Sequence, residues 1–121
     1  MNELQSKDLA LTVASILDAK KALDVKILHV TEKTVIADYF VIAGGMNRTQ
    51  VNAMADEVEY KLDTEKGIKP VNVEGRGQGG WVLLDYGSVI VHVFNPASRD
   101  FYNLEKLFAE CEEVPFEAKA E

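Results

Sequence analysis

A single α/β domain, built on one five-stranded mixed sheet covered by helices, is the fold the sequence predicts. Three observations carry that reading. Apolar residues recur at helical spacing behind good caps, short β-rich runs lie between them, and Gly, Pro and Asn punctuate the boundaries. The chain has 121 residues and is 47% hydrophobic, enough for one core without disulfides or metals.

The elements follow in order. Ser6 can cap a first helix running to about Ala22, in which Leu9, Val13, Ile16 and Leu17 form one stripe. VKILHV is a short strand, Thr31 to Lys33 a polar turn, and ADYFVIAGG a longer strand stopped by its two glycines. Asn47 then opens a second helix, with Gln50 three residues on as in a capping box. Val51, Ala55, Val58 and Leu62 line one face, and Gly67 closes the end. After Pro70 come the strand VNVE, a Gly-rich loop, the strand WVLLDY, a tight turn and the strand VIVHVF. Asn95-Pro96 opens a last helix with Phe101, Leu104 and Phe108 inward, which gives the order αββαβββα. Residues 1–111 form the domain. From Glu105 to Glu121 there are six Glu and two Lys, so 112–121 reads as a frayed acidic tail, either solvated or docking.

The hairpin fixes which side chains share a face. With either Gly87-Ser88 or Tyr86-Gly87 as its turn, Val82, Leu84, Tyr86, Val89, Val91 and Val93 lie on one side, a core composition. Trp81, Leu83, Asp85, Ile90, His92 and Phe94 lie on the other. That mixture is either a core with a satisfied polar pair or a contact surface.

Charge and motifs exclude several functions. A formal charge of −7 disfavours nucleic-acid binding, which needs clustered Lys and Arg, and suits a basic partner. Nowhere do about 18 apolar residues run together, and the first residues do not read as a signal peptide, so a cytoplasmic protein without membrane contact is expected. The single Cys111 lies at helical spacing from Leu104 and Phe108 and reads as a buried structural thiol. Gly75, Gly77 and Gly80 match G-x-G-x-x-G, but a strand follows them where a phosphate-binding turn needs a helix. GGMNRTQ, between a strand and a helix, admits a nucleotidyltransferase-like enzyme as the alternative function. Such an enzyme needs paired carboxylates for Mg²⁺, and Asp38 and Asp85 each stand without a second acid two residues on. No catalytic residues, cofactor or metal ligands are therefore assigned.

The blocks ADYFVIAGG, NRTQV, ADEVE, VEG, WVLLDYG, VIVHVF and RDFYNLEKL together resemble the ribosomal silencing factor (Iojap) family from about Leu9 to Phe108. The resemblance implies a nucleotidyltransferase-like fold without catalysis. It also implies a homodimer that binds the large ribosomal subunit through large-subunit ribosomal protein fourteen, blocks joining of the two subunits and represses translation when nutrients are limiting. Carried over by position, the contact region would be Trp81, Leu83, Asp85 and Tyr86, with Gly75 shaping the preceding loop. His92, Tyr102 and Leu104 also match family positions. Gly44-Gly45-Met46-Asn47 departs from the Ser-containing turn common in the family.

Overall fold

A computed structural model describes residues 2–78 and 80–116. The chain runs through α1 (Glu3–Ala19), β1 (Leu23–His29), β2 (Tyr39–Gly44), α2 (Arg48–Lys66), β3 (Asn72–Glu74), β4 (Trp81–Asp85) and β5 (Val89–Phe94). It ends with α3 (Pro96–Tyr102), α4 (Leu104–Leu107) and β6 (Glu112–Val114). The strands form one mixed α/β sheet in the order β3-β4-β5-β2-β1-β6, with β2 and β5 parallel and the other neighbours antiparallel.

The expected five strands are six. Glu112 to Val114, read as the start of a fraying tail, pair with His29 to Ile27, and Val114 is 4% exposed in the main core. The acids had suggested solvation, yet in an edge strand Glu112 and Glu113 stay exposed while Val114 faces inward. Pro115 and Phe116 follow without regular structure, and the rest of the expected tail, 117–121, lies outside the described residues.

The helices begin where side chains can satisfy their first N–H groups. α1 starts before Ser6, because Asn2 and Gln5 form a reciprocal capping box and Ser6 is buried, its hydroxyl donating to the Asn2 carbonyl. α2 starts as expected: the Asn47 side chain accepts the Gln50 N–H, although Gln50 Oε1 accepts from Met46 rather than from Asn47. Gly67 ends α2 in the left-handed conformation.

The last helix is not continuous. Asn103 adopts φ 44°, closing α3 and capping α4, so the expected stripe is cut between Phe101 and Leu104. Leu104 and Phe108 pack inward, whereas Phe101 is 81% exposed.

Packing divides into two layers across the sheet. On one side Leu9, Val13, Leu17, Val51, Met54, Val58 and Leu62 of α1 and α2 cover Ile27, Val41, Val82, Leu84, Val91 and Val93. On the other, Leu28, Phe40, Ile42, Ile90 and Phe94 gather under Leu104, Phe108 and Cys111, with Trp81 and Leu83 at the margin. The hairpin pairs Trp81 with Phe94, Leu83 with His92 and Asp85 with Ile90, which settles the turn as Gly87-Ser88.

Because Val114 belongs to the core, shortening the chain after Cys111 should lower its melting temperature. Val114→Ala alone should cost about 2 kcal/mol in denaturant unfolding, from lost burial and a residual void. An unchanged midpoint for both proteins would return residues 112–114 to the solvated tail.

Candidate functional site

The sheet's second face is open where β4 meets the Gly-rich loop. Trp81 heads β4, directly across from Phe94, with the ring centroids 4.9 Å apart. His92 lies on the diagonal, within reach of a large aromatic side chain. The Trp81 indole N–H donates to His92 Nδ1 over 3.1 Å. From α3, Tyr102 closes over the indole at 4.7 Å, and Phe101 meets Tyr102 edge to face at 5.1 Å. Trp81 and Leu83 remain half-buried, while Tyr102 is 50% exposed.

Gly75 makes this arrangement possible. Its φ is +85°, and a Cβ there would fall 1.8 Å from the Trp81 carbonyl oxygen, so no other residue fits without moving β3 away from β4. The loop after it is fastened to α2. Arg48 donates to the Gly77 carbonyl, the Gly77 N–H to Asn52 Oδ1, and Arg76 pairs with Asp56 and Glu59. The Gln78 N–H donates back to the Gly75 carbonyl over 3.1 Å. The Gly77 and Gln78 amides thus have protein acceptors, unlike those of a phosphate cradle, which point at a ligand.

Together Glu74, Gly75, Gln78, Trp81, Leu83 and Tyr102 line an open cleft, with Gly80 and Ser98 completing the lining. Its walls combine the apolar surface of Trp81, Leu83 and Tyr102 with the polar side chains of Glu74, Gln78 and Ser98. Such a surface can hold a protein side chain or loop, but it offers no nucleophile beside a base. Among the described residues no group of three or more His, Cys, Asp or Glu could hold a metal ion.

The five site residues named from the sequence separate. Gly75, Trp81 and Leu83 come together at the cleft. Asp85 shares the face of Trp81 and Leu83 at the far end of β4, where its carboxylate accepts the Gly87 N–H at 2.8 Å. Tyr86 belongs to the opposite face. It is 6% exposed in the core beneath the helices, and burial, reinforced by the nearby Glu59, pushes its hydroxyl well above the usual range. The sequence places Phe101 in the core and Tyr102 only as a family match, yet Tyr102 packs on Trp81 and Phe101 on Tyr102. The available signal was Asn103, a residue that tolerates the left-handed turn that rotates them outward.

His92 is buried against Phe40, Trp81 and Phe94. Burial lowers its pKa to about 3, so it is neutral at any physiological pH. Glu105 carries opposed effects. Burial alone would raise its pKa, but hydrogen bonds from Arg99 and Lys26 outweigh that and hold it below the usual carboxylate value.

Comparison with known proteins places these features in a lineage. Residues 3–121 match the family model described as ribosomal silencing factor during starvation. The chain is similar to the ribosomal silencing factor RsfS of Halalkalibacterium halodurans, with 39% identity covering 94% of this chain and 97% of that protein. The corresponding protein of Bacillus subtilis is 38% identical, over 89% of this chain and 91% of its own. A crystal structure from Chromobacterium violaceum superposes with a TM-score of 0.79 at 34% identity, covering 99% of this chain and 96% of the other.

The Gly75 contact yields a direct test. Gly75→Ala should destabilise the protein by about 3 kcal/mol or more, since it adds left-handed strain to a backbone clash. Gly77→Ala, at a similar φ but with nothing within 4 Å, should cost about 1 kcal/mol. Equal melting temperatures for the two variants would refute the close approach.

Proposed function

This chain belongs to the ribosomal silencing factor family, and from that premise we propose that it binds the large ribosomal subunit through large-subunit ribosomal protein fourteen. By occupying that surface it prevents the small subunit from joining, and so represses translation under nutrient limitation in the cytoplasm. The observation that carries the reading is the half-buried Trp81, set beside Leu83 and Tyr102 in a cleft with Glu74 at its rim. Interfaces concentrate their energy in such aromatic anchors. The net charge of −7 suits a basic ribosomal protein better than the surrounding RNA. On this reading the domain is a nucleotidyltransferase-like fold that has no catalytic role.

Sedimentation with separated subunits tests it. The protein should travel with the large subunit and lower the yield of joined ribosomes. Trp81→Ala, confirmed as folded by thermal melting, should weaken binding by about 2 to 4 kcal/mol, or roughly 30- to 1,000-fold. Co-migration with the small subunit alone, or undiminished joining at saturating protein, would refute the proposal.

The same reading makes the free protein a homodimer. Phe101 and Leu107, 81% and 63% exposed, supply apolar surface that a second copy can cover. Light scattering at tens of micromolar should return twice the chain mass, and a monomer mass would refute the dimer.

A further inference from the structure

We propose that His92 is a positioning residue for the docking face: its Nδ1 accepts the Trp81 indole N–H and holds the ring in the orientation that a protein partner meets. This rests on the docking reading and extends it to a side chain that is 4% exposed and beyond a partner's reach.

Three features support the assignment. The first is chemical. An indole N–H can only donate, so Nδ1 must be unprotonated and the ring proton of the neutral imidazole sits on Nε2. Burial keeps the ring neutral, which makes the acceptor available across physiological pH.

The second is geometric. The imidazole is itself held by rings on a neighbouring strand and on its own, Phe40 of β2 edge-on at 4.6 Å and Phe94 of β5 stacked at 6.1 Å. A side chain fixed in this way can fix another.

The third is the cost. His92 Nε2 is buried without a hydrogen-bond partner among the described residues. Leaving a buried polar atom unmade costs about 1–3 kcal/mol, which a leucine or phenylalanine at this position would avoid. Packing alone therefore disfavours histidine here, whereas fixing Trp81 requires an acceptor.

The sequence contains a single tryptophan, so its signals report on this contact alone. His92→Phe keeps a ring and removes the acceptor; His92→Asn places an amide oxygen near the position of Nδ1. His92→Phe should shift the indole N–H resonance of the isolated protein and weaken large-subunit binding about 5- to 10-fold, the worth of one buried hydrogen bond. His92→Asn should restore much of both. In a Trp81→Phe background His92→Phe should cause no further loss of binding, because the group it positions is gone. Melting temperatures establish folding, and His92→Leu replaces His92→Phe where the larger ring is not accommodated.

An unmoved indole resonance, unchanged affinity in folded His92→Phe, or an equal further loss in the Trp81→Phe background would overturn the assignment. Failure of the wild-type protein to bind large subunits would instead overturn the docking reading. The indole resonance would still decide whether His92 holds Trp81.

Discussion

Parallel pairing of β2 with β5 buries both faces of both strands and obliges the chain to cover its sheet twice. α1 and α2, with 17 and 19 residues, cover one side fully. The other receives α3 and α4, of seven and four residues, and the turn that follows them. That cover reaches Phe40, Ile42 and Phe94 but thins over β4. Trp81 and Leu83 are half-exposed for this reason: they belong to an apolar face whose lid ends before its edge.

The short lid needs a fastening other than burial, since neither α3 nor α4 contains a buried residue. Arg99 provides it. Its side chain is 13% exposed and donates to the Leu23 and Asp24 carbonyls of β1 and to Glu105, which also pairs with Lys26 at 3.0 Å. A guanidinium suits the place, because its planar fork can meet several acceptors at once. The consequence reaches the cleft, since α3 carries Tyr102 against Trp81. Polar contacts one turn before the end of the helix thereby support the aromatic contact at that end.

Much of this was legible in the sequence where local chemistry and tertiary packing agree. Asn47 and Gly67 bound α2 because caps act within a turn, and the two hairpin faces followed from strand alternation. Legibility failed where a long-range partner decides, and also where a helical stripe or a family match was followed over a local signal. Glu112 to Val114 become a strand because β1 offers an edge, which composition does not reveal. Phe101 matched a helical stripe until Asn103 turned the backbone, and Tyr86 sat among contact-strand residues although alternation sends it to the core. Gly75 was legible as part of a loop. The reason for glycine, the carbonyl of Trp81, needed coordinates.

The hydrogen bond between Trp81 and His92 also constrains how the cleft can be read. With its only donor committed inward, the indole presents a partner with an apolar ring, so it contributes contact area more than directional recognition. Direction must come from the rim. Glu74 lies beside the cleft and Asp85 at the far end of the same strand face, while Lys and Arg side chains near the loop are engaged: Arg48 with Gly77, and Arg76 with Asp56 and Glu59. An aromatic floor flanked by carboxylates favours a partner that brings aliphatic or aromatic contact together with lysine or arginine. It disfavours the phosphate backbone of RNA, which would meet those carboxylates without compensating positive charge.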